Sequence, residues 1–128
     1  MVDIFPCSIE PHGLHVEHLN DVTLIRLTRT DPEGAAIQAV GNRLFHLAET
    51  LHGRRFVLSL DGVHCLCSAM LGKLIAFHKK VKHGGGQLTL CALTPELSIR
   101  FDGMRLNRLF HICSTEEEAL GPTPISVV

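Results

Sequence analysis

The segment Phe56-Val57-Leu58-Ser59-Leu60 constrains this chain more than any other. It is a short, nearly continuous apolar run, as expected of a strand covered on both faces; a strand with one wet face would alternate apolar with polar residues. Such a strand needs covering elements, and helix signals stand on either side of it. Upstream, Asp31-Pro32-Glu33 offers a capping residue, a proline suited to a first turn and an acid suited to the positive end of the dipole. Ile37, Val40, Leu44, Leu47 and Leu51 then follow a three-four rhythm on one helical face, and Gly53 closes that helix. Downstream, Asp61-Gly62 interrupts the strand and Val63–Cys67 extends it irregularly. A second helix is predicted from about Ser68 to Lys82, with Leu71, Leu74, Ile75, His78 and Val81 on one face. Lys79, Lys80 and Lys82 crowd its C-terminal turn, where cations complement the dipole, and Gly84-Gly85-Gly86 stops it.

The alternation continues. Leu88–Cys91 reads as a strand, and Thr94-Pro95-Glu96 starts a third helix with Leu97, Phe101 and Met104 as its apolar stripe. Leu109–Ile112 reads as a last short strand. Ser114-Thr115-Glu116-Glu117-Glu118 holds two overlapping capping boxes, with Glu three residues after Ser114 and after Thr115. Ahead of all this, Leu14–Glu17 and Val22–Thr28 flank Asn20-Asp21 as a hairpin. Residues 1–13, with Pro6, Pro11 and Gly13, read as an irregular lead-in, 14–120 as the domain and 121–128 as a loose tail. The fold class expected is a single α/β domain. Its mixed β-sheet has an N-terminal hairpin followed by alternating helix–strand units, with parallel central strands and right-handed crossovers.

A chain of 128 residues, 45% of them apolar, can build one core without metals or disulfides. With six Phe and no Trp or Tyr, that core must come mainly from Leu, Val, Ile and Ala. Twelve basic and thirteen acidic side chains give a formal charge of −1, so nothing electrostatic points to nucleic acid or to an anionic membrane. No apolar run approaches the roughly 20 residues of a membrane helix. The opening MVDIFPCSIEPHG has neither the basic start nor the apolar stretch of a secretory signal, so the expected location is cytoplasmic. An odd set of cysteines (Cys7, Cys65, Cys67, Cys91, Cys113) suits reduced thiols better than a disulfide framework.

Chemistry-bearing constellations are sparse. His12, His15 and His18 are three apart, and in a strand that spacing sends His15 to the face opposite the other two. His64, Cys65 and Cys67 are closer together, but a zinc site generally wants four ligands from two separated pairs, and no second pair exists. Cys67 lies just before a helix N-terminus, where a dipole can activate a thiol; a packed cysteine at a strand end is the plainer reading. No base–nucleophile motif is present, and the glycine triplet follows a helix where a phosphate-cradling loop would precede one. No enzyme, cofactor or metal is expected. Read locally, Ser68 is a helix N-cap.

The segment from Val57 through Leu74 nevertheless resembles the signature of the sulfate transporter and anti-sigma factor antagonist (STAS) domain. There an apolar strand ends in Asp and a small residue, and Asp-Ser-Ser/Thr-Gly-Leu-Gly opens the next helix. Asp61-Gly62-Val63 matches the strand end, Ser68 the phosphorylatable serine, and Leu71-Gly72 the Leu-Gly. His78-Lys79-Lys80-Val81-Lys82 with Gly84-Gly85-Gly86-Gln87-Leu88-Thr89-Leu90 looks like the family's basic helix end, Gly-Gly turn and next strand. Met104-Arg105-Leu106-Asn107-Arg108-Leu109-Phe110 and Glu116-Glu117-Glu118-Ala119-Leu120 are similar to its later motifs, so the likeness runs from about Leu14 to Leu120. It implies a non-enzymatic switch protein whose partner is an anti-sigma factor that is also a serine kinase. It further implies phosphorylation of Ser68 and docking through Asp61, Gly62, Cys67, Ser68, Ala69, Met70, Leu71 and Gly72. This chain has Cys67 where the family has an acid, and Met70 where it has a glycine, which suggests a more apolar docking surface. Two other readings remain: an adaptor that is never phosphorylated, and a redox or metal sensor using Cys65 and Cys67.

Overall fold

A computed structural model describes residues 7–9, 14–19, 21–27, 34–61, 63 and 66–121. The hairpin forms as expected: β2 (Leu14–Leu19) pairs antiparallel with β3 (Val22–Leu27), Leu19 opposite Val22. One further strand lies in the stretch read from sequence as an irregular lead-in. It is β1 (Cys7–Ile9), antiparallel to β2 with Ser8 opposite Val16. Three residues are too few to show an alternating pattern, so backbone pairing along the sheet edge makes this strand, not its composition. The Asp31-Pro32-Glu33 helix start and the tail from Pro122 lie outside the described residues.

From β3 onward the chain alternates: α1 (Gly34–Thr50), β4 (Arg55–Ser59), α2 (Ser68–His83), β5 (Gln87–Cys91), α3 (Pro95–Gly103), β6 (His111–Cys113) and α4 (Glu116–Leu120). The pairs β3/β4, β4/β5 and β5/β6 are parallel, and the sheet order is sequential from β1 to β6. Right-handed crossovers between successive neighbours put α1, α2 and α3 on the same face. That face carries the main core. Ile25, Leu27, Phe56, Leu58, Leu60, Leu88 and Leu90 meet Val40, Leu44, Leu47, Leu74, Phe77, Leu97 and Phe101, all buried. Phe56 and Phe77 pack edge-to-face at 5.5 Å. The opposite face is covered by α4, where Ala119 packs on Val22, Leu24, Val57 and Cys91. The apolar run Phe56-Val57-Leu58 of β4 thus serves two cores, odd and even positions facing opposite layers.

Two boundaries shift from expectation. Met104 is 50% exposed at the C-cap of α3, because its N–H donates to the Arg100 carbonyl, the Arg105 N–H donates to that of Asp102, and the helix ends there. Leu106–Arg108 then forms a 3-10 turn, so the last strand starts at His111 and Leu109 is exposed. Gly53 ends the approach to β4 with a φ of +74°, a conformation that disfavours any side chain. No helix among the described residues is long and apolar enough to cross a membrane.

Candidate functional site

The turn between β4 and α2 sits at the C-terminal edge of the parallel strands and is held from several sides. The Leu60 N–H donates to the Cys91 carbonyl at 3.0 Å, carrying the β4/β5 pairing one residue past the strand. The Val63 N–H then donates to the Leu60 carbonyl at 3.0 Å, which folds the chain over. Val63 and Leu66 are buried and anchor the loop to the core. Two donors from the α3 region grip its backbone: Thr94 Oγ1 donates to the Val63 carbonyl at 2.8 Å and an Arg100 guanidinium N–H to the Leu66 carbonyl at 2.8 Å. Thr94 also caps α3 by accepting from the Leu97 N–H. Gly62, His64 and Cys65 lie outside the described residues.

α2 begins one residue earlier than a serine cap would place it. Cys67 is the N-cap, extended at φ −75° and ψ 164°, and makes no side-chain capping hydrogen bond. Its carbonyl accepts from the Leu71 N–H at 3.0 Å, the first helical bond. Ser68 is therefore the first helical residue, exposed on the rim of the helix start, and not the cap that local sequence suggests. Ala69 and Gly72 are exposed beside it, and Asp61 is exposed at the end of β4. Met70 and Leu71 turn inward and are buried, at 4% and 3%. The reason is helical phase: Met70, Leu71, Leu74, Phe77, His78 and Val81 fall on the stripe that faces the core. The docking surface expected from sequence thus loses two members. Of its described residues, Asp61, Ser68, Ala69 and Gly72 stay accessible, with half-buried Cys67 at the edge.

Chemically this is an exposed hydroxyl over the free N–H groups of a sixteen-residue helix. A negative group there is stabilised by the dipole, while the surroundings supply no base or nucleophile partner among the described residues. The described residues hold no group of three His, Cys, Asp or Glu poised around a common metal position. His18 of β2 instead hydrogen-bonds Thr23 Oγ1 at 3.2 Å, and burial followed by the charges of Arg54 and Arg43 lowers its pKa.

A second polar cluster, under α4, escaped the sequence reading. The register aligns Arg26, Ser59, Cys91 and Cys113 across four parallel strands, all on the face α4 covers. The Arg26 guanidinium forks onto Glu116 of α4 at 2.9 and 3.0 Å and reaches Glu17 at 3.4 Å. Those hydrogen bonds, with help from the Ser59 hydroxyl, hold the Glu116 carboxyl below the usual carboxylate range. Burial first, then the nearby Glu116 charge, pushes the Cys91 thiol up to about 11, and burial raises Cys113 as well. Both are poor thiolates and act as packing residues. Ser59 links this cluster to the site, because its hydroxyl also lies 3.4 Å from the Asp61 N–H. The signal that could have found the cluster is cross-strand register, which a single sequence does not carry.

An antiparallel hairpin feeding sequential βα units, with one added helix on the reverse face, defines a small class of α/β domain. The STAS domain family matches residues 16–119, and the chain belongs to it. Solved structures agree in fold. An anti-sigma-factor antagonist (STAS) domain protein from Planctomyces limnophilus superimposes with a TM-score of 0.73 at 20% identity, over 84% of this chain and 94% of that one. A putative anti-sigma factor antagonist from Thermotoga maritima gives 0.72 at 19%, over 91% and 92%. SpoIIAA of Bacillus in its phosphorylated form gives 0.64 at 16%, over 84% and 96%. At such identities these are likenesses of architecture.

Proposed function

We propose that this chain is an anti-sigma factor antagonist. In this reading it docks an anti-sigma factor that is also a serine kinase through the turn from Asp61 to Gly72, and phosphorylation of Ser68 releases the complex in the cytoplasm. The observation that carries the reading is the exposure of Ser68 at the first helical position of α2, where the STAS motif has its phosphorylatable serine. A phosphate there adds about −1.5 to −2 charge. Inside the molecule it meets helix N–H groups that tolerate it, so α2 need not unfold. On a partner it presents a bulky hydrated anion to a face that had packed against a small hydroxyl, which favours dissociation.

Gly72 supports the same surface. It lies exposed inside α2, and beyond the helix's own backbone no described residue stands within 4 Å of where a Cβ would be. An alanine there would favour the helix by about 0.5–1 kcal/mol, so the bare backbone has no internal justification, whereas a closely approaching partner supplies one.

The test is incubation with a serine-kinase anti-sigma factor and ATP, read by intact mass, beside a binding measurement. The expected result is a gain of one phosphate, abolished by Ser68→Ala, with weaker binding of the phosphorylated chain. Binding without any phosphate gain would reject the switch and leave an adaptor, an outcome that Cys67 in place of the family's acid makes specific to this chain.

A further inference from the structure

A second concave surface lies at the other end of α2. The C-terminal turns of α1 and α2 run side by side there, and the groove between them encloses about 350 Å³. Ala48 and Gly84 line it, together with His52 from just past α1 and Lys79, Lys80 and His83 from α2. Lys79 and His83 lie eleven and fifteen residues along α2 from Ser68, so at roughly 1.5 Å per residue the groove stands about 17–23 Å from Ser68 and is a separate site.

Its charge is one-sided. The carboxylate among the described lining residues is Glu49, already bonded to Lys80 Nζ at 3.1 Å. Lys80 is further held over the Phe45 ring at 5.7 Å. Among the described residues no side chain pairs with Lys79, His52 or His83. Cations in a last helical turn commonly complement the dipole, which accounts for Lys80, Lys82 and His83. His52 comes from just past the C-terminus of α1 and closes the groove against Gly84, so two helix ends converge on it; a Cβ on Gly84 would stand 2.9 Å from His52 Nδ1. The apolar part of the lining is the Ala48 methyl and the methylene stems of the two lysines.

We propose that this groove binds a small amphiphilic anion, a carboxylate or phosphate monoester carrying a compact apolar body. The volume falls in the range of about 300–1,000 Å³ typical of small-molecule sites and suits a ring-sized group. Lys79, His52 and His83 supply donors for the charged end, and charge-assisted bonds of this kind are the strong ones. The body lies along Ala48 and the lysine stems.

The test is a titration of the full chain, labelled with nitrogen-15, with phenyl phosphate, benzoate and inorganic phosphate at fixed ionic strength. The two aryl anions separate phosphate from carboxylate preference, and inorganic phosphate isolates the contribution of the apolar body. Saturating shifts are expected at the amides of His52, Lys79, His83 and Gly84, with phenyl phosphate bound about tenfold or more tighter than inorganic phosphate, as several buried ring carbons imply. Lys79→Glu should weaken binding at least about tenfold, while Arg108→Glu, an exposed charge change elsewhere, should alter it less than about twofold. Shifts that fail to saturate, that spread equally over the exposed lysines, or that Arg108→Glu diminishes as much as Lys79→Glu would overturn the assignment. So would the absence of any aryl preference.

Discussion

Restoring the family's glycine at position 70 tests the inward orientation of Met70 directly. Met70 is 4% exposed and belongs to the main core with Leu71, Leu74 and Phe77. Emptying a buried methionine site to a methyl typically costs about 2–5 kcal/mol, depending on how far the surroundings collapse. Going on to glycine in the first turns of a helix adds about 0.5–1 kcal/mol. Met70→Gly should therefore lose about 3–6 kcal/mol, a large share of the roughly 5–15 kcal/mol that holds a domain together. With a urea slope of about 2 kcal/mol per molar, the unfolding midpoint should fall by about 1.5–3 M at 25 °C. Met70→Leu keeps volume and apolarity, and should cost less than about 1.5 kcal/mol. Were Met70 instead part of an exposed docking surface, the glycine variant would lose about 1 kcal/mol at most, from helix propensity alone. A midpoint shift below about 0.5 M would refute the placement of α2 and the account of the site built on it.

Glu116→Gln should destabilise the domain by about 1–2 kcal/mol in denaturant unfolding at pH 7, since the charge-assisted fork from Arg26 is lost while the pair keeps some solvent access. The folded-state pKa of Glu116 is depressed, so its stabilisation is full above the ordinary carboxylate value, begins to fall there and is lost as pH drops through the lower folded-state value; the glutamine variant should therefore lose less stability between pH 7 and pH 3. His78 is buried against Phe110, its Nδ1 has no hydrogen-bond partner among the described residues, and its pKa is lowered by burial first and by Lys82 second. Stability from keeping it neutral is present above the ordinary imidazole value of 6.5 and declines below it, so His78→Phe should flatten the thermal-melt profile between pH 7 and pH 5. Gly72→Ala should raise stability by about 0.5–1 kcal/mol while weakening partner binding measured by calorimetry, and unchanged affinity would argue against close approach at that point.

The order of elements was legible because each helix carries its own phase and each strand its own stop. Thr94-Pro95-Glu96 and Thr115 with Glu118 read correctly as helix starts: Thr94 accepts from Leu97, and Thr115 accepts from the Glu118 N–H at 3.1 Å. Even there a detail changed, since the Glu118 carboxylate returns to the Ser114 N–H at 2.7 Å and not to the cap itself. What a single sequence could not carry was anything set by a second segment. β1 exists through its pairing with β2, and the Arg26 fork through a residue 90 positions away. At the site, the motif located the turn, while helical phase decided which of its residues reach solvent. That phase was readable from Leu71, Leu74, His78 and Val81, and Met70, four residues before Leu74, falls on the same stripe.

Sequential strand order has a kinetic corollary. Every strand in the sheet pairs with its neighbour in the chain, so each parallel pairing, such as Val22 with Arg55 or Arg55 with Gln87, closes a loop one βα unit long, and folding can advance one unit at a time. α4 is the exception. Its Arg26–Glu116 clasp and its packing across β4, β5 and β6 join the last element to the first half of the chain. A chain cut before Glu116 would keep the main core but lose the cover over Val22, Leu24, Val57 and Cys91 and the Arg26 fork. The Ser59 hydroxyl, 3.4 Å from the Asp61 N–H, joins the reverse face to the end of β4, so the clasp on α4 bears on the strand that leads into the candidate turn.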